Sequence, residues 1–397
     1  MVTGFLGGVG RQKAKPDAYG FVESLSAFYG VEQVRAKLRI GWAFRFPAFL
    51  LWATVAAGAQ GPRGLAVVDV SPIPGQHNQG GGLAVRVPVK CSPGGELFLE
   101  FVGGGVEPGV SVVSEDRQHI FRFDLTRGIG LEKAVLEDFA PGSSHDLFLL
   151  FSHLASGNTT PRGPVDHLIV RVKEGASTSV TKLDLGSGFE LRQIALLGSD
   201  HFVVSGFLSG QRLHPESFTA IFDASGQFLQ KLTLTGDLNV ESQSPNVTGK
   251  NPSDPAEMAR AETTAVGWLE SSSLQTADDG SVYLARSDPQ GPVFIISPGG
   301  AVQRVMLSAP ETGADLSSVK IAGGKIAAEY NVPGPAEEHR KHLLTVTDLS
   351  TGQLLDTVAY QGSEFTGVGL VCYRSQSFEF LTYGTDGKLK VVRAVSH

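Results

Sequence analysis

Apolar and polar positions alternate along this chain in short runs, and the runs come in pairs joined by a tight turn. The pairs read FTAIFDASGQFLQKLTL at 218–234, VFIISPGGAVQRVMLS at 293–308 and LLTVTDLSTGQLLDTVAY at 343–360. Alternation with a period of two is the signature of a β-strand with one face on a core. Clusters of Gly, Ser, Asp and Pro between two such runs supply the backbone angles a hairpin needs. The hydrophobic pattern therefore predicts an all-β chain, built from one supersecondary unit repeated about every fifty residues.

Followed along the chain, the unit contains four strands, A to D. In the third unit they fall near 190–197, 201–207, 217–223 and 227–234; in the fourth, near 271–277, 282–285, 293–297 and 301–307. The fifth places them near 316–322, 325–331, 342–348 and 353–359. Unit one reads as 83–90, 96–101, 110–114 and 120–123, with Cys91 ending its A strand. Unit two shows B at 147–151, C at 168–172 and D near 178–185. The sixth unit has A at 368–373, B at 378–382 and C at 389–395, then stops without a D strand. A spare strand, LAVVDV at 65–70, lies at the other end. Open strand edges invite association, so the economical solution is a ring in which 64–71 completes the last unit. The interval between the third and fourth units is longer than the rest, and 236–267 reads as a polar surface loop.

This layout resembles six-bladed β-propellers of the broad NHL and TolB-like kind, over roughly 64–395. The resemblance rests on repeat length, strand pattern and turns such as Asp279-Gly280 and Asp386-Gly387. It implies four-stranded antiparallel blades around a central axis and transfers no catalytic residue. A seven-bladed ring and an eight-stranded sandwich are the competing architectures. In a closed six-membered ring the first and last blades are neighbours, which would bring Cys91 beside Cys372 as a candidate disulfide. Two separately buried thiols are the alternative.

Composition changes the picture mainly at the N-terminus. Gly 49 and Pro 21 suit many tight turns, and a hydrophobic share of 41% supports a large core. Residues 1–59 carry seven basic and three acidic side chains, whereas the rest carries 26 basic and 37 acidic. An acidic body without a basic stripe argues against a nucleic-acid partner. Arg35, Lys37, Arg39 and Arg45 precede the apolar run 46–56 and the small-residue triplet Ala57-Gly58-Ala59. That order reads as a secretory signal over 34–59, cleaved after Ala59, with 1–33 as an extension upstream of the true start. The apolar run is short for a membrane span. The expected mature chain is one propeller domain, 60–397, secreted or periplasmic.

Candidate chemistry is sparse. Strand direction alternates, so A–B and C–D turns share one face, and the longer B–C and D–A loops share the other. Binding sites favour long loops on rigid scaffolds. The long-loop face carries the candidate residues His153, His214, Glu216, Asp315, Glu338 and His339. None has metal-ligand spacing, so no metal and no cofactor is assigned. Asp166-His167 and Asp200-His201 look like dyads, but each is placed where a loop enters a strand, which suits turn capping by Asp. The zinc-protease, nucleophile-elbow and phosphate-loop motifs are missing. The expected function is a non-enzymatic binding or scaffold module for a protein, peptide or glycan. The alternative is a lactonase-like hydrolase or lyase with a cation at the channel mouth.

Overall fold

The computed structural model describes residues 63–77, 84–85, 89–102, 109–124, 134–142, 146–154, 165–173, 176–186, 188–208, 217–235, 237, 272–286, 292–332, 341–361, 365, 367–384 and 387–397. The signal-like segment and most of the polar loop at 236–267 lie outside them. No helix among the described residues is long and apolar enough to cross a membrane.

The chain begins with β1 (Leu65–His77). Blade one follows as β2 (Ala84–Val85), β3 (Lys90–Cys91), β4 (Leu97–Val102), β5 (Gly109–Val113) and β6 (Ile120–Asp124). Its inner strand comes in two pieces, since β2 and β3 both pair with β4. Blade two is β7 (Ala134–Pro141), β8 (Asp146–Leu154), β9 (Val165–Lys173) and β10 (Ala176–Lys182). Blade three is β11 (Phe189–Leu197), β12 (His201–Leu208), β13 (Ser217–Asp223) and β14 (Phe228–Lys231). Blade four is β15 (Ser273–Thr276), β16 (Val282–Ala285), β17 (Pro292–Ile296) and β18 (Val302–Met306). Blade five is β19 (Asp315–Ala322), β20 (Lys325–Val332), β21 (Lys341–Asp348) and β22 (Leu354–Tyr360). Blade six contains β23 (Gly367–Arg374), β24 (Ser377–Tyr383) and β25 (Lys388–Ser396). Every blade is antiparallel, and the six form a ring. The outer position of the sixth sheet is taken by β1, which pairs with β25 from Leu65↔Ser396 to Pro72↔Lys390 and then His77↔Lys388. Just before β1, Arg63 pairs in parallel with Val358 of blade five. Arg63 N–H donates to Thr357 O at 3.0 Å, and Ala359 N–H donates to Arg63 O at 2.8 Å.

The ring coheres through six apolar seams, one at each junction. Phe98, Phe139 and Leu149 fill the seam of blades one and two; Phe148, Phe202 and Phe222 fill the next. Val203, Leu284 and Phe294 join blades three and four; Tyr283, Val305 and Tyr330 join four and five. Leu344, Tyr360 and Phe380 join five and six, and Leu99, Val371 and Leu381 join six to one. A middle strand packs on both faces, so β12 (HFVVSGFL) and β16 (VYLA) are buried almost throughout. Outer strands face water on one side, and β14 is exposed along its length. At the last seam Cys91 and Cys372 form a disulfide with Cα atoms 5.6 Å apart.

The repeated turn has a local cause. Asp223 Oδ1 accepts from Ser225 N–H at 2.8 Å, Ser225 Oγ at 2.7 Å and Gln227 N–H at 2.9 Å. Asp348 Oδ1 plays the same part for Ser350 and Thr351, which holds its carboxyl down at about 2. Each turn closes on a glycine at positive φ, Gly226 at 83° and Gly352 at 70°. Gly226 has a second constraint: a Cβ there would lie 2.4 Å from Lys182 O of the neighbouring blade.

Inner strands carry a further shared feature, a one-residue bulge. It falls between Leu136 and Asp138 in β7, Leu191 and Gln193 in β11, and Leu316 and Ser318 in β19. Bulges sharpen twist and re-aim side chains. In β11 the bulge brings Glu190 O so near Gly206 that a Cβ would sit 2.0 Å away. The bulged residues Arg192 and Glu137 meet across two blades at 2.7 Å.

Candidate functional site

A cavity of about 620 Å³ opens where the A–B turns of four consecutive blades converge. Ser92 to Gly94 border it from blade one, Pro141 and Gly142 from blade two, Gly198 to Asp200 from blade three, and Ala277 and Asp278 from blade four. This is the short-turn face. Tight hairpins can frame a hollow here because their turns hold their shape through side-chain and backbone hydrogen bonds. Glu96 N–H donates to Ser92 Oγ at 3.1 Å, Gly142 N–H to Asp146 O at 2.8 Å, and Ser281 N–H to Asp279 Oδ1 at 2.9 Å. Blades three and four are tied at the rim, where Gly198 N–H donates to Gly280 O at 2.8 Å.

The walls are apolar and the polar groups are mostly acidic. Phe148 and Phe202 lie edge to face, with centroids 5.1 Å apart, and both line the cavity. Among the described residues, four carboxylates line it, Glu96, Asp146, Asp200 and Asp278, with the cation Arg171. Arg171 donates to Asp146 Oδ2 and lies over the Phe148 ring, 5.5 Å from its centroid. Asp200 Oδ1 meets His201 Nδ1 at 2.7 Å. Asp278 Oδ2 accepts the Gly323 N–H at 2.9 Å. Asp146 is only 7% exposed, and its other oxygen, Oδ1, is buried without a hydrogen-bond partner.

Deeper along the axis the inner strands carry buried charges. Thr276 Oγ1 donates to Leu196 O at 2.8 Å and ties blade four to blade three. Two residues farther in, Lys90 Nζ spans blades one to three. It donates to Asp138 Oδ2 at 2.7 Å, to Phe139 O and to Ile194 O at 2.9 Å. Asp138 Oδ2 also accepts the Ile194 N–H at 2.8 Å. From the other side, Lys320 Nζ reaches Val89 O at 2.7 Å and joins blade five to blade one. Burial, with Lys90 adding repulsion, brings the Lys320 ammonium down to about 7, against a smaller opposing pull from Glu329. Glu329 accepts from Tyr360 Oη and from Leu370 N–H at 2.9 Å, and burial still raises its carboxyl.

The long-loop face is described only in part. His214, Glu216, Glu338 and His339 lie outside the described residues. His153 stands near the end of β8, half-buried and opposite Asp166. Asp315 opens β19 on blade five, exposed and opposite Asn331. No cluster of three or more metal-ligating side chains occurs among the described residues. Asp166 and His167 stand second and third in β9, at the strand's entry, and Asp166 pairs with Lys182 at 2.8 Å. His167 is buried with Nε2 3.0 Å from Phe189 O, and burial lowers its pKa. Asp200 does sit in a turn, but its carboxylate engages His201. Sequence reading passed over Asp146, Arg171 and Lys90. The one available signal was a charge inside or beside an otherwise apolar strand, as in DLFLLF at 146–151.

No protein-family model matches the chain, and no curated protein matches it. Several solved structures are similar in shape at low identity. A protein of unknown function from Bacteroides caccae matches with TM-score 0.39 and 12% identity, over 70% of this chain and 82% of its own. A subtype N11 neuraminidase-like protein of A/flat-faced bat/Peru (H18N11) matches with TM-score 0.42 and 9% identity, over 85% and 94%. A chain from an analysis of two prolyl endopeptidases matches with TM-score 0.40 and 14% identity, over 78% of this chain and 39% of its own.

Proposed function

We propose that this chain is an exported propeller of the NHL and TolB-like kind that binds a small ligand, or one segment of a larger one, without converting it. The observation that carries this reading is the cavity of about 620 Å³ framed by four consecutive blades. Ligand sites are typically hollows of ~300–1,000 Å³ with apolar walls and a few placed polar groups. The hollow has both, and hydrogen-bonded turns hold its rim before any ligand arrives. Preorganisation of this kind lowers the entropy lost on binding. The disulfide between Cys91 and Cys372 supports export, since such bonds persist in oxidising compartments. His153 and Asp315 on the opposite face are left for contacts with larger partners.

The test uses Ala224, an exposed residue that lines the cavity. Ala224→Trp would occupy the hollow without touching a buried seam. Thermal-shift screening of the mature protein against panels of basic, acidic and neutral peptides, oligosaccharides and lactones should yield ligands that stabilise the native chain and fail on the variant. Ligands that stabilise both equally would place recognition elsewhere. A hit that is consumed on incubation would replace this reading with the hydrolase or lyase one.

A further inference from the structure

The outer edge of blade five is a docking surface for an added strand. β22 pairs with β21 on one side, and its other edge carries Arg63 alone among the described residues. Leu354 and Leu355, at the start of β22, are 48% and 47% exposed. Strand edges of this kind are templates for pairing with another segment. We propose that the three residues before Arg63, Gln60-Gly61-Pro62, add to this edge as a short parallel strand, so that the N-terminal segment ties blade five to blade six.

The bridge at Arg63 sets both direction and register. Arg63 N–H donates to Thr357 O at 3.0 Å, and Ala359 N–H donates to Arg63 O at 2.8 Å. The bridge is parallel, and a parallel ladder repeats its evenly spaced bonds every two residues. One step back along the chain therefore brings Gly61 level with Asp356. Its N–H then meets Leu355 O, and its C=O meets Thr357 N–H. Thr357 N–H lies on this edge because a strand residue directs both backbone groups to the same side, and Thr357 O already meets Arg63.

Side chains hold that register. Arg63 Nη1 lies 3.7 Å from Asp356 Oδ2, and Ser396 Oγ donates to the same oxygen at 3.1 Å. The next residue turns to the other blade, where Gly64 O accepts the His397 N–H at 3.2 Å. Consecutive residues thus face β22 and β25 in turn, as in one extended segment running between two strand edges. Pro62 fits this alternation. It falls on the side away from β22, where its missing N–H costs no bond to that strand. Strand addition draws its affinity from main-chain hydrogen bonds, which Gln60 and Gly61 supply.

Amide hydrogen exchange compares a chain starting at Gln60 with one starting at Arg63. Thr357 N–H should exchange at least tenfold more slowly in the longer chain. Ala359 N–H, bonded to Arg63, is the control and should stay slow in both. A second measurement does not depend on the shorter chain folding well. In the longer chain, Gln60→Cys combined with Leu355→Cys should close a new disulfide in air. Gln60→Cys combined with Leu229→Cys, at an exposed position of β14 in blade three, should keep free thiols. Equal Thr357 exchange in the two chains, or free thiols in the first pair, overturns the proposal. Thr357 protection in the shorter chain that grows with protein concentration assigns the edge to a second copy and also overturns it.

Discussion

Lys320 offers the sharpest physical test of the ring's interior. Its ammonium is 3% exposed, donates to Val89 O at 2.7 Å, and is brought from 10.5 to about 7, chiefly by burial. At ~1.4 kcal/mol per pH unit, that displacement means that holding the charged form inside costs up to about 5 kcal/mol. The direction of the pH dependence follows. Between about pH 7 and about pH 10.5 the unfolded chain keeps a proton on this lysine that the native chain gives up, so native stability rises with pH. Below about pH 7 the penalty is fully present. Replacement by methionine keeps the volume and removes the titration. Urea unfolding of both proteins from about pH 7.5 to about pH 9.5 should show the native chain gaining about 2–3 kcal/mol relative to Lys320→Met. Two charged groups face the lysine. Lys90 is bound to Asp138 and stays in both proteins. Glu329 loses a positive neighbour in the variant, so its carboxylate becomes harder to ionise there, which shifts the comparison in the same direction. The comparison also cancels the raised tyrosines, Tyr283 and Tyr330 among them, which titrate in both. A stability difference that stays flat with pH, or shrinks, refutes the reasoning.

Two further predictions concern a buried ion pair and the disulfide. Arg286 is 1% exposed and forked by Asp237 through Nε at 2.7 Å and Nη2 at 2.8 Å, so Asp237→Ala should cost ~3–5 kcal/mol. Combining Arg286→Met with Asp237→Leu should recover most of the loss in urea midpoints; a single variant as stable as the native chain would contradict this. The disulfide closes a separation of 281 residues, so Cys91→Ser should lower stability by ~3–5 kcal/mol, and reductant should move the native melting temperature but not that of the variant.

Much of the fold was legible because its causes are local. Blades three to six match their expected strands closely, since alternation and Asp–Ser–Gly turns act within a few residues. The inner strand of blade two was missed. AVLEDFAP carries Glu137 and Asp138 in its centre, and a bulge between Leu136 and Asp138 breaks the alternation. Asp138 belongs in that strand because Lys90, 48 residues earlier, meets it. Asp166 was read at the entry of a strand, and β9 does start one residue before it; its partner Lys182, from the next strand, could not be read from the sequence.

The candidate site was less legible. Loop length directed attention to the long-loop face, where His153 and Asp315 stand on separate blades. The cavity instead lies among turns of three to five residues, none distinctive by itself. Chain order alone settled the repeat and the turn chemistry, because a strand's faces and a turn's angles depend on immediate neighbours. The tertiary structure decided which turns share a rim, that Asp146 keeps one oxygen unpaired beside Arg171, and that Lys90 and Lys320 each reach a blade two places round the ring. Those features depend on groups brought together only when the ring forms, at separations such as the 231 residues between Lys320 and Val89.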